Sequence, residues 1–340
     1  MSYIGATVLV AATLVATSAT AQDAITLRLN SIAPPTHWFT SELMPSWQAA
    51  VEKATEGRVV VEATDAPLGP MPRAMDMVAQ GIADVSAGNH GPIQGRFGVT
   101  QILDIPFLAN DSRAASIALW RVNQDYLAKA GEHDDVVLLS LWASAPGNIF
   151  MAKGTLDSPQ AMDGRKMVVV SPTAGKVAET YGAVTIAQPT SEWYETLSRG
   201  VADGVISTNT AIAAWPGLLE LMGSNLHFNE GMHYATFFLA MNKDKWAEIS
   251  PEDQAAIMAV SGETFAAEAG QAFWDKDKEA FATIGEAGTQ IVVATPEMVE
   301  QMKADLAFVE DDWVAKAEAA GIDGRGALAM FRAVSAAEKQ

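Results

Sequence analysis

One local pattern occurs twice in the chain, more than 100 residues apart. Residues 80–86 read Gln-Gly-Ile-Ala-Asp-Val-Ser, and residues 199–206 read Arg-Gly-Val-Ala-Asp-Gly-Val-Ile. A helical pattern precedes each copy, and a short strand pattern lies upstream of each helix. Each copy therefore predicts a β-α-β unit. Two such units so far apart predict two α/β lobes of similar topology rather than one long sheet.

The rest of the chain is consistent with an α/β fold of two lobes with a cleft between them. Ligands of open α/β sheets bind beyond the carboxyl ends of the strands, and in facing lobes these ends meet across the cleft. We expect the chain to cross near residue 147 and to return near residue 233. Lobe I is then formed by residues 22–147 and about 234–272, and lobe II by about 148–233 and 273–340.

Composition narrows the possible partners. The formal net charge of the 340 residues is −19, so the surface repels phosphate backbones and anionic lipid, which makes nucleic acid and membrane surfaces poor partners. The chain contains no Cys, which excludes thiolate catalysis, iron–sulfur clusters and zinc sites of the Cys type.

The N-terminus predicts export. Residues 1–21 carry no charged side chain, contain a short apolar stretch and end in Ala19-Thr20-Ala21, which has the small-x-small form of a cleavage site. The apolar stretch is shorter than the roughly 20 residues of a spanning helix. We interpret residues 1–21 as a signal peptide, and the mature protein is then expected in the periplasm.

Patterns typical of enzymes are missing from the sequence. The five His residues show no His-Glu-x-x-His spacing, and there is neither a Walker A sequence nor a Gly-x-Ser-x-Gly elbow. The sequence therefore offers no candidate catalytic residue, and we expect neither a metal nor a cofactor.

Several polar and aromatic residues follow predicted strands and are candidates to bind a small polar solute, because a cleft needs an apolar wall and a few convergent polar groups. For each, the alternative is a turn, a capping hydrogen bond or core packing. In the first half of the chain these candidates are His37, Trp38, Asp65, Asn89, His90, Trp142, Asn148 and Phe150. In the second half they are Ser207, Asn209, Thr210 and Phe237.

Three of these candidates would suit a ligand with a positive charge. Asp65 is a possible partner for an ammonium group. Trp142, which follows the predicted strand at 136–141, and Phe150 are possible members of a cation–π cage.

A series of short motifs gives the chain a family resemblance. From about Leu27 to the C-terminus it resembles the solute-binding subunits of tripartite ATP-independent periplasmic (TRAP) transporters, the DctP-like family. The motifs that carry it are Pro34-Pro-Thr-His37, Thr55-Glu-Gly-Arg-Val59, Ala66-Pro-Leu-Gly69, Gln80-Gly-Ile-Ala-Asp84, Gly95-Arg-Phe97, Ile105-Pro-Phe107, Met162-Asp-Gly-Arg-Lys166, Gly200-Val-Ala-Asp-Gly204 and Met241-Asn-Lys-Asp-Lys-Trp246.

The resemblance implies the two-lobe periplasmic-binding-protein α/β fold, a clamp with a ligand cleft between the lobes and a long helix that braces both. Such a protein delivers solutes, usually organic acids, to a pair of integral-membrane permease subunits. Family members carry an Arg that binds the ligand carboxylate, and the motif places Val168 at that position. Val168 and Ser171 belong to the strand that normally carries this Arg, so the resemblance makes both candidate ligand-binding residues. Val168 provides neither charge nor donors, so the ligand is an organic acid held by another group, or an amine, betaine or other zwitterion.

Two other functions remain open from the sequence. A periplasmic sensor that reports to a receptor would have the same fold, and an exported enzyme would need a nucleophile or metal site that the sequence does not offer. We expect the protein to act as a monomer.

Overall fold

The structure is a computed structural model that describes residues 24–229 and 231–339. The predicted signal peptide lies outside the described residues. Within the described part of the chain, no helix is long and apolar enough to cross a membrane. The strands are β1 Ile25–Asn30, β2 Val59–Ala63, β3 Val85–Asn89, β4 Val137–Met151, β5 Lys166–Val169, β6 Val184–Ala187, β7 Gly204–Thr208, β8 Ser224–His227, β9 Tyr234–Met241 and β10 Gln290–Val293.

Helices cover both faces of the sheet. They are α1 Met44–Ala54, α2 Ala74–Ala79, α3 Ser112–Asp125, α4 Pro172–Thr180, α5 Trp193–Ser198, α6 Asn209–Ala214, α7 Lys243–Ala247, α8 Pro251–Val260, α9 Gly262–Glu286, α10 Pro296–Asp305, α11 Ala307–Ala319 and α12 Gly324–Glu338. As the sequence predicts, Ser250 caps α8, and its hydroxyl accepts a hydrogen bond from the backbone N–H of Asp253 at 3.1 Å.

The sheet shows the internal repeat. Its strand order is β2-β1-β3-β9-β4-β7-β5-β6, with β8 pairing with β4 and β10 pairing with β8. Three parallel strands, β2, β1 and β3, lie next to the antiparallel strand β9. Likewise β6, β5 and β7 are parallel and lie next to the antiparallel strand β4. The two lobes therefore share one topology, which confirms the two-lobe α/β fold.

The repeated motif has the same structural role in each lobe. Gly81 and Gly200 end their helices with φ values of +69° and +68°, which a residue with a Cβ rarely adopts. The Asp that follows accepts a backbone N–H of a neighbouring strand: Asp84 accepts that of Arg28 at 2.7 Å, and Asp203 accepts that of Lys166 at 2.8 Å. The motif thus stops a helix and fixes the register of the next strand.

Strand β4 connects the lobes. Its residues up to Pro146 pair with β9, and from Gly147 onward they pair with β7 and β8. The sequence prediction of a strand that ends before Trp142 is therefore wrong, because β4 continues to Met151. Helix α9 also reaches both lobes: Phe265 and Phe273 pack in the core of the first lobe, and Ile284 packs in the core of the second.

The C-terminal segment differs from the expected lobe assignment, which otherwise stays a prediction. Trp313 of α11 and Phe331 of α12 belong to the same apolar core as Leu119 of α3 in the first lobe. The Trp313 indole N–H also donates to the backbone carbonyl of Val99 at 3.0 Å. Residues 273–340 therefore do not all belong to lobe II, because the last two helices return to cover the first lobe.

Candidate ligand-binding site

A cavity lies between the lobes, beyond the carboxyl ends of the parallel strands. Its volume is about 100 Å³. The lining residues are Ile32, Ala33, His37, Trp38, Phe39, Met71, Asn89, Ser144, Val170, Thr190, Trp193, Ile206, Ser207, Thr208, Thr210, Ala211, Trp215, His233, Ala235, Phe237 and Phe273.

The walls of the cavity are mainly aromatic. On the side of the first lobe, the ring of Trp38 meets that of Phe273 edge-on, with centroids 4.8 Å apart, and Phe237 lies 5.3 Å from Phe273. The second lobe contributes Trp193 and Trp215. Aromatic faces on opposite sides favour a flat, apolar part of a ligand.

The lobes contact each other beside the cavity. The rings of His37 and Trp215, from opposite lobes, lie 5.9 Å apart. Gly91 approaches the second lobe so closely that an added Cβ would lie 2.9 Å from the carbonyl oxygen of Val170. Any residue larger than glycine at position 91 would therefore hold the lobes apart.

No charged side chain lines the cavity among the described residues. The titratable groups there are His37 and His233, and burial lowers the pKa of each imidazole to about 4. Both are therefore neutral at pH 7. The Nδ1 atom of His37 accepts the backbone N–H of Phe39 at 3.2 Å, which places the proton of the neutral ring on Nε2.

Asp277 lies behind the cavity rather than in its wall. Its carboxylate accepts hydrogen bonds from the Asn209 side-chain amide at 2.9 Å and from the Thr210 backbone N–H at 3.4 Å. Burial raises the pKa of Asp277 to about 7, although the hydrogen bond from Asn209 acts in the opposite direction. No group of three or more His, Asp or Glu side chains within 24–229 and 231–339 is arranged to hold a metal ion.

Six of the residues predicted from the sequence line the cavity. They are His37, Trp38, Asn89, Ser207, Thr210 and Phe237. All of them except Phe237 lie at or after the carboxyl end of a parallel strand. Such positions can be recognised in the sequence once the strand is predicted. Their roles in binding stay a prediction.

Three predicted polar residues lie outside the cavity lining and bond to the backbone or to other side chains. The Asn148 side chain accepts the backbone N–H of Phe228 at 2.8 Å, and the Ser171 hydroxyl accepts that of Ala174 at 3.1 Å. Asn209 donates to Asp277 and accepts from the Asn225 amide at 3.2 Å.

Two further polar candidates also lie off the cavity. Asp65 is exposed and does not line the cavity, so its carboxylate is not placed to pair with an ammonium group of a bound ligand. His90 is fully buried on the other side of β3. Its Nδ1 lies 2.9 Å from the Thr236 hydroxyl, and its Nε2 lies 3.0 Å from Nε2 of His133.

Three predicted apolar candidates lie in the core. Trp142 is fully buried behind the cavity wall, stacked on Phe237 at 5.7 Å. Phe150 and Val168 pack together beneath α5. Val170 lies on the same face as Val168 because strand residues alternate, and it is Val170 that reaches the cavity.

Sequence reasoning missed several lining residues, among them Trp193, Trp215, His233 and Phe273. Trp193 and Trp215 flank the second repeat. The only feature of the sequence that pointed to them is the large number of Trp residues. His233 lies just before the return strand β9. Phe273 lies on α9, a helix whose apolar face looks like ordinary core from the sequence.

Comparisons with known proteins agree with this arrangement. Residues 29–316 match the family model DctP, described as bacterial extracellular solute-binding protein, family 7. A TRAP periplasmic solute-binding protein from Bordetella bronchiseptica, solved with bound (R)- and (S)-mandelate, is 32% identical. The match covers 93% of this chain and 100% of that one, with a TM-score of 0.89.

Two further relatives are similar along almost their full length. A marine metagenome TRAP solute-binding protein specific for aromatic acid ligands, solved with 3-hydroxybenzoate, is 25% identical with a TM-score of 0.87 and coverage of 94% and 100%. The outer membrane transporter protein TsaT of Comamonas testosteroni is 28% identical over 92% of this chain and 93% of its own. The chain therefore belongs to the DctP family of TRAP solute-binding proteins.

Proposed function

We propose that this protein captures a small organic acid with an aromatic ring and delivers it to a TRAP permease. The aromatic cavity wall is the observation that carries the proposal. Trp38, Phe237 and Phe273 from one side and Trp193 and Trp215 from the other surround a space without charged side chains. A planar ring fills such a space, whereas a flexible polar solute would leave the rings without contacts.

The relatives support a ring-bearing acid over an amine or betaine. The Bordetella bronchiseptica protein binds mandelate, and the marine metagenome protein binds 3-hydroxybenzoate, both of which combine a benzene ring with a carboxylate. In this chain no Asp or Glu among the described residues lines the cavity to pair with a cation. Asp65, the residue proposed from the sequence for that role, lies outside it.

Binding and closure are coupled in this proposal. Both lobes contribute to the wall, so a ligand makes all its contacts only when the lobes are together, and it stabilises the closed form by that difference in affinity. We further propose that residues 1–21 direct export, that the protein works in the periplasm as a monomer, and that two integral-membrane permease subunits receive the ligand.

A thermal-shift panel tests this function. The protein is melted with mandelate, 3-hydroxybenzoate, acetate, choline and glycine betaine, each at matched ionic strength. A ligand at 100 times its Kd adds about 2.7 kcal/mol to the free energy of unfolding, a rise in Tm of roughly 4 °C for a protein of this size. We expect that rise with a ring-bearing acid only. Stabilisation by choline or betaine instead, or by none of the ring compounds, would contradict the proposal.

A further inference from the structure

The cavity contains hydrogen-bond donors that the protein itself does not use. The Oδ1 atom of Asn89 accepts the backbone N–H of Gly91 at 2.8 Å. This bond fixes the orientation of the amide and leaves its NH₂ group available as a donor. That group has no hydrogen-bond partner among the described residues, and neither has the hydroxyl of Ser207. Both residues are largely buried, with 9% and 5% of their surface exposed. Buried donors of this kind normally have partners.

The fold brings these two donors toward one place from opposite lobes. In the second lobe, Val168 of β5 pairs with Val205 of β7. Val170 and Ser207 follow two residues further along their segments, and both line the cavity. In the first lobe, Gly91 lies so near Val170 that an added Cβ would be 2.9 Å from the Val170 carbonyl oxygen, and the backbone N–H of Gly91 donates to the Asn89 side chain. Asn89 and Ser207 therefore flank Val170 where the lobes meet.

We propose that the ligand's carboxylate binds between the Asn89 amide and the Ser207 hydroxyl, and that no positively charged side chain takes part. This inference rests on the proposed function, because it assigns one part of the same ligand. Neutral donors suffice for one negative charge when they are fixed in a site that excludes water, since hydrogen bonds to a charged acceptor are stronger than neutral ones.

The absence of a basic group also limits the ligand's charge. No Lys or Arg lines the cavity among residues 24–229 and 231–339, and the two lining imidazoles are neutral at pH 7. A second carboxylate on the ring would enter an apolar wall without a counter-charge, at a large cost in desolvation. The cavity is therefore selective for aromatic acids with a single negative charge.

Three ligands of nearly equal shape test the charge requirement by titration calorimetry. They are 3-hydroxybenzoate, its amide 3-hydroxybenzamide, and isophthalate, in which a second carboxylate replaces the hydroxyl group. We expect the acid to bind at least about 10-fold more tightly than the amide, since the amide presents an NH₂ group where the site offers donors. Isophthalate should show no measurable binding.

Two variants test the assigned residues. Asn89→Asp keeps the acceptor for the Gly91 N–H but removes the donor and adds a negative charge, so the Kd of the acid should rise about 100-fold or more, and that of the amide less than about 3-fold. Ser207→Ala should raise the Kd of the acid about 10-fold. Asn110→Asp, which adds the same charge outside the cavity, is the control and should leave both affinities unchanged.

The outcomes separate this inference from the proposed function. If the acid and the amide bind wild type equally, or if Asn89→Asp weakens both to the same extent, the carboxylate is not held at Asn89 and the inference fails while the function stands. If no ring compound binds wild type, the proposed function fails and the inference with it. Melting each variant without ligand shows that it is folded.

Discussion

At the scale of single residues, Gly147 shows how tightly the cavity wall is built. It lies where β4 changes from one lobe to the other. An added Cβ would lie 2.1 Å from Nδ1 of His233, which lines the cavity, and 3.0 Å from the backbone carbonyl oxygen of the same residue. Because the carbonyl belongs to the backbone, the imidazole ring alone cannot move to make room.

Gly147→Ala should therefore destabilise the protein. Overpacking of this kind costs about 1–3 kcal/mol, which urea unfolding at pH 7 measures directly. Gly175→Ala is the matched control. Gly175 lies inside α4, and its added Cβ meets its nearest neighbours at 3.9 Å, so this change should be neutral or stabilise the protein by up to about 1 kcal/mol. Equal effects at the two positions would contradict this account of position 147.

The same scale explains which site residues sequence reasoning could find. A polar residue after a strand faces a ligand or binds the backbone, and the two cases look alike in the sequence. Asn89 does both, because one end of its amide holds Gly91 and the other faces the cavity. Asn148 and Ser171 use their side chains to bond the backbone, and only their partners, Phe228 and Ala174, reveal it.

At the scale of elements, the turn that ends at Asp104 holds a buried carboxyl group. Asp104 follows apolar residues of the first lobe, and its Oδ2 atom is buried without a hydrogen-bond partner among the described residues. Burial raises its pKa to about 7, while the Ser171 hydroxyl of the second lobe and the more distant Lys316 act in the opposite direction.

This pKa makes stability depend on pH with a definite sign. The ordinary pKa of Asp is 3.8, so between about pH 4 and pH 7 the folded protein holds a proton that the unfolded chain has released. The contribution of Asp104 to stability is therefore present at low pH and lost as the pH rises through 7. Asp104→Asn removes it.

Urea unfolding of wild type and Asp104→Asn at pH 5 and pH 8 measures this contribution. From pH 5 to pH 8 the variant should gain about 2–3 kcal/mol relative to wild type. Asp65→Asn, which removes an exposed carboxylate, should show no such change. A relative stability of Asp104→Asn that is the same at both pH values would show that Asp104 is not buried as described.

Elements with strong local signals were predictable, and the crossing strand was not. The caps and glycines of α8 and of the repeated units can be read directly from Ser250, Gly81 and Gly200. Strand β4 contains Pro146 and Gly147, which normally interrupt a strand. They are tolerated because a register irregularity between Ala143 and Pro146 lies at the change of partner from β9 to β7 and β8.

At the scale of the whole molecule, the repeated β-α-β units determine the topology of the two lobes. Elements outside the repeat connect the lobes and complete the cavity between them. Each lobe supplies its strand ends to the cavity, while β4, β9 and α9 hold the lobes in register. The packing of α11 and α12 on the first lobe could not be predicted, because their amphipathic patterns show that they cover a core but not which one. The same limit applies to Phe273, whose neighbours come from distant parts of the chain.

The central claim is that a ring-bearing acid is held by aromatic side chains of both lobes, and a pair of Trp variants tests it. Trp215 lines the cavity from the second lobe, whereas Trp274 lies on α9 outside the lining and packs against Lys278, whose Nζ is 5.2 Å from its ring. Trp215→Ala and Trp274→Ala remove the same side chain from the two places.

Titration calorimetry with mandelate on wild type and these two variants is the most direct measurement. We predict one binding site for mandelate in wild type. The Kd should be at least about 10-fold higher in Trp215→Ala, because aromatic residues often provide much of the binding energy of a site. The Kd should be unchanged in Trp274→Ala. Binding that is equally tight in all three proteins would contradict the account, because the ligand would then lie outside the aromatic cavity.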